Sequence, residues 1–435
     1  MKQLFVLLHI IVVSATLSAQ QTWTLEQCTS YGLENNLSIQ QMQGETDKLH
    51  IREQTLKNSR LPSSEIAASQ RFNFGRSLNR ENVYQDVSSH ITNLNLNVEM
   101  PLFDGFFTRN SIRENRSNMH ASEENIAAKK DELRLNIANL FYRAAIYKEM
   151  HSIAVEQKKL TESQISRIQV RLKAGMTSKD LLLQMKAQLA DDELKITETQ
   201  GNMNIALIEL AQLMNLTEQI PQFDIAVDTV DVILSDFLSD GDIQTSHFSQ
   251  IRSVQHRLQS AEWAFKKVSA GYLPSLSLGG SIGSSNYIQS GVSNSAFFTQ
   301  LKNNRQTYVY VALRIPLFDK FTTRDNLRSI KTDIRNQSLA LQEAQNRLRT
   351  EALKIESDIQ NARQKLTAAT QSVNSHAEAF RFATEKFNAG KLSVYEHLQA
   401  KQRLASSQSQ AVQAKYDLMY KAMIYRYYHK SQDGQ

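Results

Sequence analysis

The chain has 435 residues, 41% of them hydrophobic, with only 14 glycines and 5 prolines and a mean hydropathy of −0.43. Several compact domains of ordinary type would need more turn-formers and more apolar core, so long uninterrupted elements are expected instead. The net charge of +6 arises from 50 Lys and Arg scattered among 44 Asp and Glu, with no block of one sign, which argues against nucleic acid as a partner.

Residues 1–19 have the form of a signal peptide: Lys2, an apolar run from Leu4 to Val13, and small residues ending at Ala19. Leu17 is large for the cleavage box, but the mature chain is expected to start near Gln20, outside the cytoplasm. Beyond it no apolar run is long enough for a transmembrane helix. The one cysteine, Cys28, cannot form an internal disulfide. Leu25-Glu26-Gln27 before it is not a lipidation box, so Cys28 is expected to be a small buried residue of a helix.

A helix is expected over 24–60. Two strands follow, the first carrying Ile66, Ala68, Phe72 and Phe74 on one face, the second Leu94, Leu96, Val98 and Met100. A polar loop, 75–90, joins them. At 101–109 the chain meets PLFDGFFTR and enters a helix whose Leu133, Ile137, Leu140, Ala144 and Tyr147 keep a 4-3-4-3 spacing, a coiled-coil seam. That helix runs about 65 residues to Ala174-Gly175, roughly 100 Å at 1.5 Å per residue. Gly175 supplies the positive φ that ends it, and Thr177-Ser178 caps a next helix over 178–214. The segment 215–239 is expected to form a small mixed collar.

From there the pattern repeats, displaced by about 215 residues. A helix over 240–270 precedes strands carrying Leu276, Leu278 and Ile282, then Val309, Val311, Leu313 and Ile315, joined by a polar loop over 284–304. PLFDKFTTR at 316–324 repeats the junction, and Leu348, Ala352, Ile355, Ile359, Ala362 and Leu366 repeat the seam. Ala389-Gly390-Lys391, with Ser393 as cap, repeats the turn before a last helix over 393–428. Summed lengths suggest two long helices, each beside a stacked pair of short ones. The organisation is a signal peptide (1–19), a first repeat (20–225) and a second repeat (226–435).

Each strand is about ten residues long, enough to cross a bilayer when tilted. Phe103, Phe106, Phe318 and Phe321 at the strand ends suit a membrane-interface girdle. Four strands cannot close a barrel, and open edges in hydrocarbon leave backbone groups unpaired at several kcal/mol each, so any barrel must be shared between chains. At the junctions Pro101 and Pro316 are expected to end strand pairing, and Asp104 and Asp319 to cap the helices that follow.

No reaction chemistry is legible. The stretch LGGSIGSSNY lacks the Gly-Lys-Ser/Thr of a phosphate loop, the ten histidines are scattered, and Cys28 has no evident His partner, so neither an enzyme nor a cofactor or metal site is expected.

The opening WTLEQCTSYGLENNLSIQ, the LPS before each first strand, the paired Pro-Leu-Phe-Asp junctions and both Ala-Gly turns followed by Ser together resemble the TolC-type outer membrane efflux family over essentially the whole mature chain. The resemblance implies a mainly α fold with a membrane β component. In it, four strands per chain build a shared 12-stranded β-barrel in a homotrimer, above a coiled-coil α-helical barrel that reaches from the outer membrane into the periplasm. It also implies a periplasmic adaptor protein docking at the turns (Gly175, Thr177, Ser178, Gly390, Lys391, Ser393) and an inner-membrane transporter of the RND or ABC type. An acidic constriction would fall on Glu396, while the family's second acidic position falls on Gln399. The expected function is a passive outer membrane exit duct for drugs, small solutes or proteins. The alternative is a periplasmic coiled-coil adaptor or stalk that binds without conducting.

Overall fold

Strict alternation of apolar and polar side chains makes a strand with two unlike faces, and a long heptad pattern makes a helix with one sticky seam. Both dominate the structure, a computed structural model that describes residues 22–78, 82–86, 88–216, 223–227 and 245–429. The expected signal peptide and most of the expected collar at 215–239 lie outside the described residues.

In chain order the elements are β1 (Thr22–Trp23), α1 (Leu25–Asn35), α2 (Leu37–Asn58), β2 (Ser63–Asn73), β3 (Arg76–Leu78), β4 (Tyr84–Asp86), β5 (Ser89–Phe103), α3 (Phe107–Lys173) and α4 (Lys179–Leu213). The second half brings β6 (Asp224–Ile225), α5 (Ser249–Ser269), β7 (Ser275–Gln289), α6 (Phe297–Asn303), β8 (Gln306–Arg314), α7 (Thr322–Asn388) and α8 (Val394–His429). The long helices α3 and α7 have 67 residues each. Among the described residues no helix is long and apolar enough to cross a membrane.

The expected helix over 24–60 is two helices. Asn36 takes an extended conformation between them (φ −69°, ψ 118°). Its Oδ1 accepts from the backbone N–H of Ser38 and Ile39, capping α2, while its Nδ2 donates to the carbonyl of Leu213. An asparagine able to cap and to reach a neighbouring helix end offsets the cost of breaking the first helix.

The chain divides into two compact units. One comprises 44–124 and 250–344, the other the remaining segments. The first contains an antiparallel sheet in the order β2-β5-β7-β8. Paired residues share a face, so register alone assigns the surfaces. Ile66, Leu96 and Ile282 are aligned across three strands; Met100, Leu278 and Val311 form another row, and Leu276 faces Leu313. The opposite face aligns Glu65, Asn97, Ser281 and Tyr308. There Ser281 Oγ donates to Asn97 Oδ1 (2.8 Å) and Asn97 Nδ2 to Glu65 Oε1 (3.3 Å). The apolar face is bare: Ile66 is 80% exposed and Val309 74%.

Two strand boundaries differ from expectation. β7 continues through the Ser- and Asn-rich stretch to Gln289 because β5 offers partners there, Ser89 opposite Gln289. The loops between paired strands contain the small ribbon of β3 and β4 in the first half and α6 in the second. Pro101 does not stop its strand either: pairing carries on to Phe103 across a register shift, where a missing N–H is tolerated. In the second half β8 stops at Arg314, ahead of Pro316.

The helices of this unit are held by ion pairs across elements, Arg116 to Glu53 (2.8 Å) and Lys267 to Glu114 (2.6 Å). In the other unit the expected seam is the core. Ile137, Ala144 and Ala352 are fully buried, Leu133, Leu348, Ile359 and Ala362 nearly so, and Leu140, Ile355, Leu366 and Tyr147 pack beside them. Cys28 is buried among Ile39, Ile137 and Leu210, and burial pushes its thiol up to about 12.

Candidate functional site at the paired helix turns

Each 67-residue helix ends in the same way. Gly175 has φ +71° and Gly390 φ +70°. The N–H of Gly175 donates to the carbonyl of Leu172 and that of Met176 to Arg171; the N–H of Gly390 donates to Phe387 and that of Lys391 to Lys386. These are Schellman closures, which satisfy the last carbonyls and require a left-handed residue that glycine adopts without strain. No atom lies within 4 Å of a Cβ built at Gly175, so its requirement is conformational, not steric.

The next helices, α4 and α8, each start four residues after the turn glycine. Ser178 Oγ accepts from Leu181 N–H, while Thr177 only precedes it. Ser393 forms a two-way cap: its Oγ accepts from Glu396 N–H (3.3 Å), and its backbone N–H (3.0 Å) and hydroxyl (2.6 Å) donate to Glu396 Oε2. These hydrogen bonds, the hydroxyl's first, hold the Glu396 carboxyl below the usual glutamate range. Glu396 is exposed and its carboxylate is engaged in the helix start.

The two turns lie side by side. Arg171 Nη1 donates to the carbonyl of Asn388 (3.2 Å), and Ile168 and Met185 pack with Phe387, Leu181 and Leu392 beneath. A groove of about 520 Å³ runs between them, bordered by Arg167, Arg171, Ser178, Gly390, Ser393 and Tyr395.

Above the turns sits a polar cluster inside the seam. Lys401 Nζ donates to Asp192 Oδ2 (2.6 Å) and to Thr161 Oγ1 (2.6 Å), joining α8, α4 and α3; the lysine and aspartate side chains are 6% and 8% exposed. Gln188 donates to the other Asp192 oxygen (2.9 Å). Burial lowers the Lys401 pKa, and Asp192 opposes that shift. One turn before Lys401, His397 is stacked on Phe387 (4.6 Å) and shares a hydrogen bond with Thr384. Burial, and then the Lys401 charge, pull its pKa down to about 4, so it is neutral near pH 7. Sequence reasoning missed this cluster. The signal was present: Met185, Asp192, Thr199 and Ala206 are buried at every seventh position of α4, so one carboxylate lies on a seam.

The strand-to-helix junctions form a second paired feature. Asp104 and Asp319 act from two residues before the cap position. Between each and its helix stand two residues of positive φ, Gly105 (67°) and Phe106 (69°), or Lys320 (58°) and Phe321 (62°). The tight turn so formed brings Asp104 Oδ2 within 2.8 Å of Thr108 N and Asp319 Oδ2 within 2.7 Å of Thr323 N. Phe103 packs edge-on against Phe106 (5.1 Å), as Phe318 does against Phe321 (5.3 Å), and Arg109 and Arg324 lie over the second ring of each pair. Every shared letter of the repeated motif from phenylalanine to arginine therefore has a contact to make.

Among the described residues there is no cluster of three or more His, Cys, Asp or Glu able to hold a metal ion. A four-stranded sheet with one bare apolar face, attached to duplicated heptad helices, defines a class of membrane-anchored coiled-coil channels. The match to a family model is extensive: residues 32–216 and 246–421 fit that described as outer membrane efflux protein, and the chain belongs to this family. It is accordingly an outer membrane exit duct for efflux. Similar solved structures include the outer membrane protein VceC of Vibrio cholerae, at 15% identity over 93% of this chain and 95% of that one, with a TM-score of 0.76. The CmeC outer membrane channel of Campylobacter jejuni shares 18% identity over 91% and 83% (TM-score 0.75). The open state of the MtrE outer membrane channel of Neisseria gonorrhoeae shares 18% over 92% and 88% (TM-score 0.69). Comparison with curated protein sequences gives no match.

Proposed function

We propose that three copies of this chain form a passive duct that works with a periplasmic adaptor and an energised inner-membrane transporter of the RND or ABC type. The observation that carries the reading is the sheet: an apolar face across four strands, with β2 and β8 at its two edges. Edges left open in lipid cost several kcal/mol for each unpaired group, and three four-stranded sheets close a barrel of twelve. The repeats 20–225 and 226–435 each contribute a hairpin and a long helix with its turn. The turns at Gly175, Thr177 and Ser178, and at Gly390, Lys391 and Ser393, are the adaptor-docking end. Pro101, Asp104, Pro316 and Asp319 set the strand-to-helix junctions, and Glu396 lines the narrowest part of the passage. The duct has no catalysis of its own; exported drugs, solutes or proteins pass through it.

Planar-bilayer recording of the purified protein, with heat-modifiable mobility on gels, tests this. A trimer that conducts and converts to monomer on boiling is the expected outcome. A detergent-free, monodisperse monomer would overturn the shared barrel. Within the same recordings, Glu396→Gln keeps a capping side chain and is expected to reduce cation preference. Unchanged selectivity would place Glu396 outside the conduction path. The stalk reading has no use for a bare apolar sheet face.

A further inference from the structure

We infer that the surface formed by the two turns binds an acidic protein segment, rich in Asp and Glu, with an apolar side chain between its charges. This rests on the reading of the turns as a docking end and adds the chemistry of what docks.

Cations outnumber carboxylates at this end. Arg167 borders the groove, and Lys173, Lys179 and Lys391 flank the two turn glycines; all four are exposed, and none has an ion-pair partner among the described residues. Two carboxylates share this end, Asp180 in the groove lining and Glu396 in the first turn of α8; their hydrogen-bond donors, Gln184 (2.7 Å) and Ser393, are neutral, so both keep their charge but are outnumbered by the four cations. The helices α4 and α8 both begin at this groove, and the acidic residue in each first turn, Asp180 or Glu396, offsets the positive end of its own helix. The surplus of exposed cations without ion-pair partners creates a field that attracts negative segments and steers their approach.

The apolar half of the match is also present. Met176, at the first closure, is 69% exposed and Tyr395, in the first turn of α8, is 74% exposed. Tyr395 stands at the edge of a groove lined below by Ile168, Leu181 and Leu392. An exposed aromatic beside a groove with a polar rim and an apolar floor has the anatomy of a binding hot spot. An anionic lipid headgroup would satisfy the cations but would leave the recess and Tyr395 unused.

The test is charge reversal in the intact protein. In cells lacking the wild-type gene, Lys173→Glu/Lys179→Glu/Lys391→Glu is expected to reach the outer membrane in wild-type amounts. It should lose at least tenfold of the tolerance to growth inhibitors that the wild-type gene restores. The triple Arg variant should keep that tolerance, and suppressors of the Glu variant should be Asp or Glu to Lys changes in a second periplasmic protein. Full tolerance in the Glu variant overturns the inference, as do suppressors that change no charge. So does binding of the detergent-solubilised wild type to nanodiscs containing phosphatidylglycerol, if the reversal abolishes it, since the occupant is then lipid. Gly175→Val and Gly390→Val separate this from the underlying reading. A β-branched residue opposes positive φ, so these variants should assemble but not export if the turns dock anything. Export failing in the Gly variants but persisting in the reversal removes only the acidic partner; export persisting in both removes the docking end itself.

Discussion

Lys401 and Asp192 meet inside a seam otherwise built from Met185, Thr199, Ala206 and Leu404, so their removal has consequences that an exposed pair would not. Taking away one partner leaves a buried charge without its counter-charge, at about 3–5 kcal/mol. Lys401→Met is therefore expected to lower the thermal unfolding temperature sharply, and adding Asp192→Leu to restore much of the loss. A double variant no better than the single one would show that the pair is not mutually compensated. His397 adds a pH dependence. Its pKa in the fold, about 4, lies below the ordinary histidine value, so the unfolded chain takes up the proton first as pH falls. Its stabilising contribution is whole above about pH 6.5 and is lost as pH drops toward about 4. The groups facing it are Lys401 on its own helix, Thr384 on α7 and, through Lys401, Asp192 on α4 and Thr161 on α3. Melting curves of His397→Leu should fall less steeply across that window than those of the wild type; parallel curves would exclude the imidazole as the sensor.

At the scale of elements, the strands were legible because a period of two survives any tertiary context, and register then put the expected apolar residues within them on one face, while Phe74 and Ile315 fall just beyond the strand ends. Leu96→Arg or Val311→Arg is expected to cost roughly 2–4 kcal/mol of assembly stability near the bilayer midplane, read as loss of the heat-resistant species. No change would mean that this face meets water. The heptad helices were legible for a similar reason. What escaped sequence reading was set by partners elsewhere in the chain. Asn36 breaks a helix whose pattern continues on either side, and β7 extends through serines and asparagines that have no strand signal except opposite β5. The left-handed pair Lys320-Phe321 has no glycine to announce it; only its likeness to Gly105-Phe106 and the shared aspartate mark it. Asp192 and Lys401 hid because a charge on a seam resembles a solvated helix face until its partner is known.

For the whole molecule, the most consequential feature is the middle of the sheet. The two repeats are joined there through β5 and β7, while β2 and β8 lie at the margins. Within one chain the duplication is therefore stitched at its centre and unfinished at its rim. A lone subunit has no state in which its strands are both in lipid and fully hydrogen-bonded. In the shared barrel proposed above, folding of the membrane part and encounter with other subunits become a single event, whose rate would rise with the number of chains present. Quality control follows without a dedicated factor. In that barrel a subunit with a damaged edge strand would have no stable place in the bilayer as a half-made pore.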